Sequence, residues 1–151
     1  MDDIFIRAAH RDDVLAIVAL LADDPLGATR EDPADLATYE KAFDAVAAQG
    51  GNHLLIAEGN GEVVGCLQLT IIPGLSRRGA TRGLIEGVRV GAAWRGLGIG
   101  ERLIRHAIEM SRDAGCGLVQ LTTDKSRADA RRFYHRLGFV ASHEGMKLAL
   151  E

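Results

Sequence analysis

The chain has 151 residues, a length typical of one domain, and 47% of them are apolar, which suffices for a continuous core. The formal net charge is −3, with acids and bases scattered along the chain, so no nucleic-acid partner is indicated. The longest apolar run, residues 14–22, is much shorter than the roughly 20 residues that span a bilayer. We therefore expect a single cytoplasmic domain over residues 1–151, without a membrane partner.

The first half of the chain predicts a strand, two helices and a hairpin, in that order. Asp12 or Asp13 caps the first helix, and Pro33 suits the first turn of the second. Gly59, Asn60 and Gly61 form the predicted hairpin turn. The predicted elements are a strand over 4–6, a helix with the stripe Val14, Ile17, Val18 and Leu21, a helix over 33–48, and strands over 54–58 and 63–72.

The second half predicts a strand-helix-strand crossover followed by a further helix and two short strands. A loop at 73–81, rich in glycine and arginine, precedes it. The predicted elements are strands over 84–90, 118–122, 139–140 and 146–150 and helices over 99–114 and 129–137. Because the crossover joins parallel strands within an otherwise antiparallel order, the sequence predicts a mixed α/β fold with helices on both faces of one sheet.

The junction between the strand 84–90 and the long helix after it carries the strongest chemical signal. A glycine-dense turn here opens a helix, where unpaired backbone N–H groups and the helix dipole favour a phosphate or pyrophosphate. Gly96, Gly98 and Gly100 have no Cβ to obstruct a close approach, and Arg95 adds a positive charge beside them.

Two better-known nucleotide motifs do not fit this turn. A P-loop requires Gly-Lys followed by Ser or Thr, whereas the turn ends in Gly100-Glu101-Arg102. The dinucleotide fingerprint G-x-G-x-x-G requires a final glycine where this chain has Glu101 or Leu103. A different α/β nucleotide-binding domain is therefore the weaker alternative.

The turn fits R-x-x-G-x-G, from Arg95 to Gly100, and so resembles the pyrophosphate turn of the GNAT acetyltransferases. Residues 130–139, ARRFYHRLGF, resemble the A-x-x-F-Y-x-x-x-G-F signature of the same family, and Ile6-Arg7-Ala8-Ala9 before two aspartates resembles its opening strand and helix. The resemblance spans essentially the whole chain. It implies the acyl-CoA N-acyltransferase fold, with a mixed sheet of six to seven strands.

The resemblance also implies acetyl-CoA as co-substrate and assigns its contacts. The backbone of Val88, Arg89 and Val90 would hold the pantetheine arm as an added strand would. Arg127 stands where the family usually has asparagine, so it either loses that contact or meets a phosphate of coenzyme A. The arginines of the following helix, 131, 132 and 136, fit an anionic cofactor or a solvated basic face equally. The pyrophosphate contacts implied beside Arg95 are the N–H groups of Gly96, Gly98, Ile99, Gly100 and Glu101.

Two side chains match catalytic positions of the family. Tyr134 matches the donor of a proton to the leaving thiolate, although its helical neighbours also suit a core aromatic. Glu86 is the candidate base, acting directly or through water. The alternative roles for Glu86 are a structural ion pair with Arg82 or Arg89 and a carboxylate that only orients the substrate. Gly87 predicts a β-bulge that separates this strand from its neighbour.

The acceptor is less well defined by the sequence. The resemblance implies a primary amine of a small molecule or peptide, and the acidic segment 23–44 favours a cationic acceptor. Arg77, Arg78 and Arg82 favour one with a carboxylate instead, and ordinary surface charge explains either pattern. A non-catalytic acetyl-CoA-binding sensor or assembly module is the alternative function.

The remaining expectations concern metals, cysteines and assembly. Cys66 and Cys116 lack metal-ligand spacing, so we expect two buried, reduced thiols and no metal. A homodimer is the expected assembly, because many relatives pair through their sheets.

Overall fold

The structure is a computed structural model that describes residues 3–150. Two 3-10 turns, Arg11–Asp13 and Ala92–Trp94, precede helices. The strands are β1 Ile4–Ala8, β2 Asn52–Gly59, β3 Glu62–Ile72, β4 Arg82–Val90 and β5 Leu118–Leu121. The helices are α1 Val14–Ala22, α2 Gly27–Arg30, α3 Leu36–Ala48, α4 Ser76–Gly79, α5 Ile99–Asp113 and α6 Ala128–Arg136. None of the helices within this range is long and apolar enough to cross a membrane.

The described strands form one mixed sheet in the order β1-β2-β3-β4-β5. All neighbours are antiparallel except β4 and β5, which are parallel and joined through α5, as the predicted crossover requires. Helix α5 covers one face, where Leu67, Leu69 and Ile85 are buried, and α1 covers the other around Ile56 and Cys66. The prediction of a mixed α/β fold is thus confirmed.

The predicted strand count was too high. The described part of the chain has five strands, and segments 139–140 and 146–150 form none. The alternation in 146–150 satisfies a strand pattern, but Met146 and Leu148 are 93% and 86% exposed. A strand with no apolar surface to bury gains little from pairing, which explains the failure of this prediction.

Local chemistry explains the elements that position the site. Asn60 and Gly61, with φ of 52° and 77°, form the two-residue turn between β2 and β3, while Gly59 belongs to the strand. Helix α5 packs closely on β4 at Gly83, where a Cβ would lie only 2.4 Å from Ser111 Oγ. The strongly amphipathic α5 buries Ile99, Leu103, Ile104, Ala107 and Ser111.

Candidate active site

Strands β4 and β5 separate halfway along β4. Their last paired residues are Ile85 and Leu121, so residues 86–90 have no β5 neighbour. On the other side of β4, Gly87 and Val88 both stand against the single β3 residue Leu67, which is the register shift of a bulge. Gly87 adopts φ of 64° there, so the predicted bulge is confirmed. The sheet therefore offers a free main-chain edge over residues 86–90.

Guanidinium groups lie along this free edge. Arg89 donates from Nη1 to the carbonyl oxygen of Val88 at 2.9 Å, and Arg95 donates from Nε to that of Val90 at 3.3 Å. The two valine carbonyls are thus covered by side chains and not by another strand. Rotation of the two arginines would expose them to an extended ligand.

The turn at 95–101 is an open cradle of backbone amides. Within the described chain, none of the N–H groups of residues 96–101 donates a hydrogen bond, and the first that does, that of Arg102, reaches Gly98 O at 3.1 Å. Gly96 and Gly98 both have φ of 80°, and a Cβ on either would meet nothing within 4 Å. The exposed amides at the start of α5 therefore fit a pyrophosphate.

The neighbours of the cradle bring three predicted regions together. A Cβ on Gly100 would lie 3.5 Å from the ring of Phe133 and 3.6 Å from Val90. The cradle, the free edge of β4 and the helix that carries Tyr134 therefore meet at one place. The Glu101 carboxylate lies in an ion pair with Arg105 at 2.9 Å, which offsets a negative charge beside the cradle.

Tyr134 is partly buried beside this junction. Its ring packs edge-on against Phe133 and Phe139, with centroids 5.2 and 5.9 Å away. Burial raises the pKa of Tyr134, although the positive charges of Arg89 and Arg127 oppose the rise. The phenol is therefore protonated at neutral pH and can donate, as its proposed role requires.

Glu86 is exposed on β4 opposite Gln68. No ion pair with Glu86 is present between residues 3 and 150, and Arg89 contacts Asp24 at 3.4 Å. The structure therefore does not support the alternative in which Glu86 neutralises Arg82 or Arg89. Its carboxylate is accessible on the strand that carries the free edge.

Arg127 contacts Asp24, an aspartate that no sequence motif distinguishes. Arg127 Nη1 lies 2.8 Å from Asp24 Oδ2, and Asp24 also accepts a hydrogen bond from the N–H of Gly27. Burial alone would raise the pKa of Asp24, but the Gly27 N–H and Arg127 together lower it. Because 103 residues separate Asp24 from Arg127, only the folded chain reveals this pair.

The charged segments that suggested an acceptor are largely occupied by local contacts. Arg11 pairs with Glu40 and Asp44, and the Tyr39 hydroxyl donates to Glu31. On α6, Arg132 pairs with Asp129, and Arg131 and Arg136 are exposed, as on a solvated face. Arg77 and Arg78 lie exposed in α4 with positive φ. Several of these charges therefore have partners among the described residues, as ordinary surface charges do.

The two cysteines differ in environment. Cys66 is 1% exposed, and burial raises the pKa of its thiol to about 12, so it is an inert core residue. Cys116 is half-buried, less than the sequence predicted. Within residues 3–150 no group of three or more His, Cys, Asp or Glu side chains is arranged to hold a metal, and a metal-free reaction remains a prediction.

Comparison with known proteins connects this geometry to a family. Residues 14–139 match the model of the Acetyltransferase (GNAT) family. The aminoalkylphosphonate N-acetyltransferase of Salmonella typhimurium is 32% identical over 138 residues, which are 91% of this chain and 86% of that enzyme. The glucosamine 6-phosphate N-acetyltransferase of Trypanosoma brucei brucei is 39% identical over 90 residues, which are 60% of this chain but only 59% of that enzyme.

A solved structure agrees with the fold over almost the whole chain. A crystal structure from Bacillus halodurans C-125, described as a transcriptional regulator, has 45% identity and a TM-score of 0.95, and the match covers 98% of this chain and 100% of that one. The family match covers most of the chain and contains the free edge, the amide cradle and Tyr134. The chain belongs to the GNAT family of acetyltransferases.

Proposed function

We propose that this protein is an acetyl-CoA-dependent N-acetyltransferase that acetylates a primary amine of a small molecule or peptide by direct attack in a ternary complex. The observation that carries the proposal is the junction of the free β4 edge, the amide cradle at 95–101 and the helix of Tyr134. One domain over residues 1–151 would contain the whole site.

The cofactor contacts follow from main-chain groups. The backbone of Val88, Arg89 and Val90 would hold the pantetheine arm, and the N–H groups of Gly96, Gly98, Ile99, Gly100 and Glu101 would hold the pyrophosphate beside Arg95. Acetyl-CoA supplies an acetyl thioester. Backbone amides carry no titratable group, so this part of the binding should vary little with pH.

Two side chains would move the protons. Glu86, exposed on the free-edge strand, takes a proton from the acceptor amine directly or through water. Tyr134, kept protonated by burial, donates its hydroxyl proton to the departing sulfur. A backbone N–H of residues 88–90 stabilises the negative oxygen that develops on the acetyl group.

Relatives support the choice of acceptor. The names of two similar enzymes give glucosamine 6-phosphate and aminoalkylphosphonate as their substrates, and both are small molecules with an amine. From these relatives we carry over to this protein only that the acceptor is a small molecule with an amine. The first test is binding of coenzyme A by calorimetry, followed by thiol release from acetyl-CoA with a panel of amines. Micromolar binding with amine-dependent thiol release supports the proposal, and absence of binding contradicts it.

The alternative is a non-catalytic acetyl-CoA sensor, which the description of the Bacillus halodurans protein as a transcriptional regulator favours. A sensor would bind coenzyme A in the calorimeter but release no thiol with any amine. An enzyme would release thiol, and Tyr134→Phe would slow the release without weakening the binding.

We further propose a cytoplasmic homodimer. Exposed apolar residues in the segment after α6, namely Val140, Met146, Leu148 and Leu150, supply a surface that a second copy would cover. Light scattering should give twice the monomer mass for the wild type and the monomer mass for Leu148→Asp. A monomeric wild type would contradict the proposal.

A further inference from the structure

Arg89, Asp24 and Arg127 form a cluster of two cations and one anion at the free edge of β4. Asp24 Oδ2 lies 2.8 Å from Arg127 Nη1 and 3.4 Å from Arg89 Nε. Side-chain exposure is 19% for Arg89, 16% for Asp24 and 26% for Arg127, so the charges are poorly screened by solvent. The cluster therefore carries one positive charge that no described residue neutralises.

The Nε atom of Arg89 is the unsatisfied donor of this cluster. It is buried and, despite its distance of 3.4 Å from Asp24, makes no hydrogen bond. A buried donor without an acceptor costs free energy, and native structures contain few of them. An oxyanion of a ligand would satisfy this donor and the excess charge together.

The location of the cluster points to the acceptor rather than to a remote ligand. Arg89 lies on the same strand as Glu86, at most about 10 Å away at the rise of a β-strand. Both arginines also act electrostatically on the phenol of Tyr134. An oxyanion held by the arginines would thus keep a short acceptor molecule beside the two side chains proposed to move protons.

We propose that Arg89 and Arg127 form a subsite for an oxyanion on the acceptor amine, and that Asp24 is the counter-ion that holds both guanidinium groups when no acceptor is bound. The inference rests on the proposed acetyl transfer and names its substrate class as small amines that carry a phosphate, phosphonate or carboxylate. Guanidinium groups suit such oxyanions because their planar N–H donors form paired hydrogen bonds.

The test uses amines that differ only in the oxyanion. Ethanolamine is compared with O-phosphoethanolamine, and propylamine with β-alanine, by kcat/KM for thiol release. We expect the anionic member of at least one pair to be preferred by about 30-fold or more, in line with charge-assisted hydrogen bonds to two arginines. The pair with the larger preference identifies the oxyanion as phosphate or carboxylate.

Variants connect the preference to the cluster. Arg127→Gln and, separately, Arg89→Gln should reduce to near unity the ratio of kcat/KM for the anionic amine to kcat/KM for its neutral partner. Arg112→Gln, which removes an exposed arginine paired with Glu109, is the matched control and should keep the full preference. If Arg89→Gln does not fold, the more exposed Arg127 still decides the test.

Opposite outcomes separate the two proposals. Equal rates for both members of each pair, or a preference that survives Arg127→Gln, would overturn the subsite but leave acetyl transfer intact. Loss of coenzyme A affinity in Arg127→Gln would assign the arginine to the cofactor and also overturn it. If no amine releases thiol, the proposed function fails, and inorganic phosphate then tests the subsite alone, because it should raise the Tm of the wild type more than that of Arg127→Gln.

Discussion

The turn at 95–101 and the Arg89–Asp24–Arg127 cluster are both suited to anions, but they are built in different ways. The turn uses backbone N–H groups from consecutive residues, and its only side-chain cation is Arg95. The cluster uses three side chains from three distant segments, and its counter-ion is already in place. A local main-chain site can be recognised from a short motif and is insensitive to pH, whereas a side-chain site depends on the fold and on charge.

The largest effect is expected from a change in the backbone of the turn. Gly98→Val should weaken coenzyme A binding by about 100-fold or more, because a branched residue is disfavoured at φ of 80° and its side chain fills the cradle. Calorimetry with coenzyme A measures the loss.

The matched control for that change lies at the other end of α5. Gly115 has φ of 79° and, as at Gly98, a Cβ added there would meet no atom within 4 Å. Gly115→Val should therefore cost similar stability while coenzyme A affinity stays near the wild-type value. Equal affinities for the two variants would remove the cradle from cofactor binding.

Tyr134→Phe tests the proposed proton transfer without altering the turn at 95–101 or the Arg89–Asp24–Arg127 cluster. We expect kcat to fall about 100-fold, within the usual range for loss of a general acid, with coenzyme A affinity unchanged. Because burial raises the pKa of Tyr134, the alkaline limb in the pH profile of the wild-type kcat should lie above the ordinary tyrosine pKa of about 10.

The only other tyrosine of the sequence provides the control for that variant. Tyr39 donates to Glu31 and accepts from the N–H of Asp32, remote in sequence from the proposed chemistry. Tyr39→Phe should keep kcat and lose only some stability. A Tyr134→Phe enzyme with full kcat would exclude Tyr134 from proton transfer.

Glu86→Gln tests the free-edge strand without altering its backbone. We expect kcat/KM to fall about 30-fold, because the base is lost but water can partly replace it. Glu109→Gln, an exposed change on α5, serves as the control and should behave as the wild type. An unchanged kcat/KM for Glu86→Gln would assign the proton transfer elsewhere.

The smallest effect, and the one that most directly distinguishes the two anion regions, is the pH dependence of stability. Asp24→Asn should lower the free energy of unfolding by about 1–2 kcal/mol at pH 7, because the paired arginines lose their counter-ion. The pKa of Asp24 is lowered in the folded state. The carboxylate therefore contributes fully to the free energy of unfolding above the ordinary aspartate pKa, and this contribution disappears as the pH falls through the pKa of the folded state.

Denaturant unfolding between pH 7 and pH 2 measures this effect. The free energies of unfolding of Asp24→Asn and the wild type should become equal as the pH falls. For Gly98→Val the difference from the wild type should stay constant over the same range, since no charge is involved. A pH-independent difference for Asp24→Asn would mean that its carboxylate contributes nothing through its charge.

The sequence alone predicts the mixed α/β fold, the crossover through α5, the bulge at Gly87 and the glycine-rich turn before α5. These features depend on local patterns: apolar periodicity sets a helix, and a glycine-rich stretch after a strand sets a turn with free N–H groups. The local pattern gives a wrong prediction at 146–150, where alternation predicts a strand but Met146 and Leu148 are almost fully exposed.

The tertiary structure determines which charged side chains are paired and which are not. Among the acids of segment 23–44, the sequence does not distinguish Asp24, yet folding places it between Arg89 and Arg127. It likewise shows that most other charges of that segment have partners nearby, and that Glu86 lacks one within residues 3–150. Whether a charge is balanced depends on neighbours that lie far away along the chain, and burial sets how strongly it acts, so these properties emerge only when the chain is folded.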